Sequence, residues 1–131
     1  MIGASAAIIR NGHNEIVIVK PTYRKEWLLP GGAIEENESP QECCKRECLE
    51  ELNVSIDLGE LLCLEYRKAT DDVRFIFDGG ILSEEGDIRL PEEELESYRL
   101  VAIDAAIELV DRQTARRLVF MRSGLGIYFE S

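Results

Sequence analysis

The chain has 131 residues, 45% hydrophobic and 31% charged, and its 26 Asp and Glu against 15 Lys and Arg give a formal net charge of -11. That length suits one domain with one core, burying on the order of two thirds of its unfolded surface. No apolar run approaches the roughly 20 residues of a membrane helix, and the acidic balance argues against gripping long nucleic acid by its backbone phosphates.

The opening, Met1 to Arg10, lacks the basic leader and cleavage site of a secretory signal, so a cytoplasmic location is expected. Ser5 to Arg10 and Glu15 to Lys20 are β-branched runs separated by Asn11-Gly12-His13-Asn14, which reads as a hairpin. Pro21 and a polar link through Arg24 and Lys25 lead to Trp27-Leu28-Leu29, and Pro30-Gly31-Gly32 then reads as a loop of unusual backbone freedom. Ser39-Pro40-Gln41-Glu42 is a helix start, with Ser39 as N-cap, Pro40 at the first helical position and Glu42 closing a capping box. The helix is expected to reach Leu52, with Asn53 taking the left-handed conformation that follows many helices.

Glu60 to Tyr66 and Val73 to Leu82 form a second hairpin pattern around Lys68 to Asp72. Ser83 to Glu94 is acidic and turn-rich, Tyr98 to Ile103 resembles a last strand, and from Asp104 a helical period runs to about Met121. These elements give a single α/β domain over 1–131, with helices packed on a mixed sheet. Cys43, Cys44, Cys48 and Cys63 form no CxxC pair and the one histidine, His13, is distant, so the cysteines read as small apolar core residues and not as a zinc site.

Along the helix, at 100° per residue, Glu50 and Glu51 flank Glu47, while Cys44, Cys48 and Leu52 occupy the adjacent face, the natural one to bury. Three carboxylates at i, i+3 and i+4 repel, at roughly 0.2–0.5 kcal/mol per pair. An acidic helix face is ordinarily solvated surface, but a hard divalent cation makes this arrangement favourable, because carboxylate oxygens are what Mg²⁺ prefers and substrate phosphates complete its shell. Upstream, Gly31-Gly32 lets backbone approach a ligand closely.

The stretch Gly32 to Val54 resembles the Nudix box: Gly32, five residues, Glu38, seven residues, Arg46-Glu47, apolar Cys48, one residue, Glu50-Glu51, one residue, Asn53 and apolar Val54. Asn53 stands where the family pattern has Gly, and Cys48 where a larger aliphatic residue is usual. The resemblance implies a Nudix-type α/β/α sandwich, a mixed sheet between helices. It implies that Glu47, Glu50 and Glu51, with the Gly31 carbonyl, hold Mg²⁺ or Mn²⁺, that Arg46 orients a box glutamate, and that Glu38 supports the loop–helix geometry. The implied activity is metal-dependent hydrolysis of a phosphoanhydride bond in a nucleoside diphosphate linked to another moiety, as in a nucleoside triphosphate, an oxidised nucleotide or an ADP-ribose-like compound. A non-catalytic Nudix-fold nucleotide sensor is the alternative, and loss of box glutamates would favour it; none is lost.

The attacking water needs a base, and in this family it comes from the box or from a later loop. Of the acidic run Pro91-Glu92-Glu93-Glu94, Glu94 is the choice. Arg24 and Gly32 are the substrate-binding candidates. Arg67 and Arg74 border the second hairpin, where either could meet a phosphate or stack on a base, and read first as surface arginines; Arg116 and Arg117 read as complementing the helix dipole or covering the surface. Trp27, Tyr66, Phe75 and Phe77 read as core in preference to a base pocket. The expected partner is a small nucleotide, with no membrane and no long nucleic acid; a homodimer is left open.

Overall fold

The computed structural model describes residues 2–82, 88–89 and 95–131, with backbone alone for Ile2, Leu95 and Glu96. The elements are β1 (Ile2–Arg10), β2 (Ile16–Pro21), β3 (Gly31–Ala33), α1 (Pro40–Leu52), β4 (Leu61–Arg67), β5 (Asp72–Ile81), β6 (Leu95–Val101), α2 (Ile103–Leu109), α3 (Arg112–Ser123) and β7 (Tyr128–Glu130). The strands form one mixed sheet in the order β6-β2-β1-β5-β4-β7, with β3 paired to β1 off this path. β1 and β5 run parallel from Ile2↔Asp72 to Arg10↔Ile81. β2 lies antiparallel to both β1 and β6.

The apolar run Ile16-Val17-Ile18-Val19 shows why this is a three-layer fold. Its side chains alternate across the sheet, so a strand apolar at every position must be covered on both faces. Val17 and Val19, with Ala7, Ile9 and Phe77, meet Cys44, Cys48 and Leu52 of α1. Ile16 and Ile18, with Ile8 and Ile76, meet Ala106 of α2, Leu118 of α3 and Val110 between them.

The first hairpin forms as its turn residues dictate. The Asn11 side chain accepts hydrogen bonds from the backbone N–H groups of His13 and Glu15, and Asn14 takes φ 59°. Helix α1 begins with both halves of the capping box, and Asn53 ends it in the left-handed conformation at φ 57°.

Four expectations require correction. Gly31 and Gly32 are not loop but strand β3, opposite Ala6 and Ser5. A side chain would prevent that pairing, since a Cβ at Gly31 would stand 2.2 Å from the Ser5 carbonyl oxygen. The single C-terminal helix is two: Val110 is extended (φ -79°, ψ 168°), and Asp111 caps α3 by accepting from the Thr114 N–H. Trp27 fixes the break by donating to the Leu109 carbonyl and accepting from the Asp111 N–H. The last strand is not the one around Tyr98 but β7, beside β4, and β6 itself starts earlier, at Leu95. Finally, Arg117 is not a surface residue; it is buried with Glu65. The acidic stretch Ser83 to Glu94, apart from Ile88 and Arg89, lies outside the described residues, and with it the proposed base Glu94.

Candidate active site

The capping box fixes where α1 begins, and the helix then packs beside β3. Arg46 is the hub of its charged side chains. Its Nε donates to Glu38 at 2.6 Å and one Nη to the other Glu38 oxygen at 3.0 Å, a two-pronged pairing that suits guanidinium and carboxylate. The same Nη reaches the Ala33 carbonyl at 3.2 Å, and the other donates to Glu47 at 2.7 Å and to Glu50 at 3.2 Å. One cation thereby ties the loop before the helix to two carboxylates on it.

The glycines bring two carboxylates to the backbone. Glu51 accepts a hydrogen bond from the Gly31 N–H at 2.8 Å. Glu47 sits against Gly32 so closely that a Cβ there would lie 2.5 Å from its carboxyl carbon. Cys43 adds a brace unforeseen from the sequence, its thiol donating to the Gly32 and Ala33 carbonyls at 3.4 Å. Burial, reinforced by the charge of Glu38, pushes that thiol up to about 12, so it stays protonated as a donor. Its position one helical turn before Arg46 was the available signal.

The electrostatics distinguish the carboxylates. The guanidinium of Arg46, helped by the Glu35 N–H, lowers Glu38 to about 2. Glu47 is shifted the other way: burial raises it, and Glu50 and Glu38 add to that, against the pull of Arg46. A nearby cation relieves that kind of cost. The donor set around Gly31 and Gly32 is all oxygen, which suits a hard divalent ion. Among the described residues, however, no three His, Cys, Asp or Glu side chains gather closely enough to hold a metal. Glu50 is paired with Arg46 and is 56% exposed, standing outward from the glycines that Glu47 and Glu51 bracket.

A cavity of about 390 Å³ adjoins the glycines, its wall including Gly31, Gly32, Arg24, Arg67, Arg74 and Arg117. The structure thus gathers beside the box three arginines that the sequence scatters over 50 positions, and adds Arg117. Arg24 lies 3.5 Å from Asp111 and 3.7 Å from Glu26. Of the aromatic residues, Phe75 lines the cavity. Phe77 is buried in the α1-side core, Trp27 packs with the α2–α3 layer, and Tyr66 donates to Asp71 near the surface.

These features can be set beside known proteins. A family model for the NUDIX domain matches residues 2–122. The chain is 32% identical over 74 residues to a putative 8-oxo-dGTP diphosphatase of Bacillus subtilis, a match covering 56% of this chain and 50% of that protein. It is 30% identical over 122 residues to an RNA pyrophosphohydrolase of Sulfurovum, covering 78% of each. The chain spans about half the length, or less, of the Bacillus relative and two other curated relatives. In three dimensions it resembles a MutT protein from Methanosarcina mazei, with a TM-score of 0.81, 22% identity, and coverage of 95% and 96% of the two chains. No helix among the described residues is long and apolar enough to cross a membrane. With box, sheet order and helical layers agreeing along nearly its whole described length, the chain belongs to the Nudix family.

Proposed function

We propose that this chain is a Mg²⁺- or Mn²⁺-dependent pyrophosphohydrolase acting on a nucleoside diphosphate linked to another moiety. The observation that carries the reading is the bracketing of Gly31-Gly32 by Glu47 and Glu51, with Arg46 paired to both Glu47 and Glu50. Glu47, Glu50, Glu51 and the Gly31 carbonyl would hold the ion. When bound, it polarises a phosphoryl oxygen, offsets charge on the leaving phosphate and lowers the pKa of a coordinated water.

The protein's own residues do the rest. Arg46 is a positioning residue: anchored by Glu38, it fixes the Glu47 rotamer and gives Glu50 a partner until a divalent ion competes for its carboxylate. Gly32, lacking a side chain, lets the Glu47 carboxylate lie against β3 and keeps the cavity wall beside it open to a diphosphate, and Arg24 supports the phosphates from that wall. The water's proton passes to a carboxylate, for which Glu94 of the acidic loop is proposed on sequence alone. The phosphate-handling names of the Bacillus and Sulfurovum relatives support this substrate class.

Initial rates over nucleoside triphosphates, oxidised nucleotides and nucleoside-diphosphate sugars, with Mg²⁺, Mn²⁺ or EDTA, test the reading. The wild type should turn over at least one compound with metal alone, and Glu51→Gln or Glu47→Gln should reduce that rate about a hundredfold or more. A wild type as inert as both variants on every compound, yet still binding nucleotide, would establish a sensor in place of an enzyme.

A further inference from the structure

The cavity beside the glycines carries more positive charge than a neutral ligand would need. Arg67 and Arg74 share one carboxylate, Asp72, at 3.7 and 3.4 Å, both longer than a good charge-assisted hydrogen bond. Among the described residues, the Nε of Arg74 and one oxygen of Asp72 are buried without a hydrogen-bond partner, and of these the Arg74 donor is the one that an anion would complete. Such atoms are costly unless something completes them.

Arg117 comes from the opposite layer and is only 9% exposed. Its Nε donates to Glu65, itself 0% exposed, at 2.6 Å, and the second Glu65 oxygen accepts from the Ser131 hydroxyl at 2.6 Å. Glu65 is therefore engaged at both oxygens and holds Arg117 in one place in the cavity wall. A buried ion pair is weak evidence for stability, since apolar substitutes often serve as well. A guanidinium fixed in the same cavity wall as two partly exposed ones instead suits an anion. Among the described residues, the other charges lining the cavity are Arg24 and Asp111, which face each other at 3.5 Å.

We propose that this cavity is an anion subsite, in which Arg67, Arg74 and Arg117 hold a phosphoryl group beyond the two that the box carboxylates and their metal engage. The inference rests on the hydrolase reading and narrows it: the substrate is a nucleoside triphosphate or longer polyphosphate, in preference to a nucleoside-diphosphate sugar whose distal part is uncharged. A phosphate carried on a ribose hydroxyl has the same chemistry, so the test includes it.

Steady-state kinetics with Mg²⁺ on a nucleoside triphosphate, a dinucleoside tetraphosphate, a ribose-phosphorylated nucleoside diphosphate and a neutral nucleoside-diphosphate sugar, for wild type, Arg67→Gln and Arg74→Gln, decide the matter. Wild type should have its highest kcat/KM on a compound bearing the additional phosphate, and which one identifies that group's source. Each substitution should raise its KM about tenfold to a hundredfold, with a much smaller change in kcat and in the KM of the neutral sugar compound. Titration of inorganic tripolyphosphate in EDTA, followed by calorimetry, should show the same order of weakening without relying on turnover. Because Arg117→Gln strands Glu65 in the interior and risks unfolding, the paired change Arg117→Met with Glu65→Leu is used for that position, and it should weaken tripolyphosphate binding in a folded protein. Preference for the neutral sugar compound, with Arg67→Gln and Arg74→Gln unchanged in KM and in tripolyphosphate binding, would overturn the subsite and leave the hydrolase intact. Absence of any turnover, with or without Glu51→Gln, would overturn the hydrolase reading while the tripolyphosphate titration still judged the subsite.

Discussion

Adding one carbon at Gly31 and at Gly32 meets different obstacles. At Gly31 the carbon would strike the Ser5 carbonyl and the Ala6 backbone, which cannot yield without parting β3 from β1. At Gly32 it would strike the carboxylate of Glu47, the far end of a flexible side chain. Gly31→Ala should therefore destabilise the fold by roughly 2–4 kcal/mol in urea titration. Gly32→Ala should leave the transition midpoint nearly in place but lower metal-dependent turnover at least about tenfold, because it displaces a proposed ligand; a Gly32→Ala enzyme with wild-type turnover would refute that placement. Glu38 makes a further residue-scale prediction. Its carboxyl is held at about 2 when folded, against an ordinary 4.5, chiefly by Arg46. A depressed acid stabilises the fold above its unfolded pKa, and that contribution is lost as pH falls through the folded one. The stability difference between wild type and Glu38→Gln should thus be constant above about pH 5 and shrink steadily towards pH 2. A difference independent of pH over that window would mean that the pairing contributes nothing.

At the scale of elements, α1 was readable because its signals are local: Ser39, Pro40, Glu42 and Asn53 each act within a turn of where they stand. The break between α2 and α3 was not, because Ala106, Val110 and Leu118 keep the apolar spacing of one helix across it. What divides them is the distant backbone of Trp27, aided by the Asp111 cap. Asp111→Ala should cost about 1 kcal/mol of stability by removing that cap. It should also release Arg24, which lies 3.5 Å from the same carboxylate, and so alter KM for the nucleotide; an unchanged KM would detach Arg24 from the site. Strand β3 was hidden for the opposite reason. Pro30-Gly31-Gly32 carries every mark of a loop, and only a neighbour as small as the Ala4-Ser5-Ala6 backbone makes a strand of it.

For the whole molecule, helices packed on a mixed sheet followed from the order of the elements and the three layers from the box resemblance, while strand order followed from neither. The parallel pairing of β1 with β5 joins residues some 70 positions apart, and no local pattern encodes it. The same distance hid the cavity. Arg67, Arg74 and Arg117 each look first like an ordinary surface cation until the fold places them with Arg24 around one space, and Glu65 is sealed only because α3 brings Arg117 over it. The proposed carboxylates, by contrast, sit on one helix and were legible together.

The sealing of all four thiols makes the protein its own reporter of opening. Cys43, Cys44, Cys48 and Cys63 are each 0% exposed, three on α1 itself, where they are buried, and one on β4. An excess of a thiol-specific alkylating reagent should modify none of them at once, and mass spectrometry over time should reveal whether the α1 trio reacts before Cys63. Earlier reaction of the trio would mean that the helix bearing the box lifts from the sheet while the rest stays folded; simultaneous reaction of all four would mean that it detaches only when everything does.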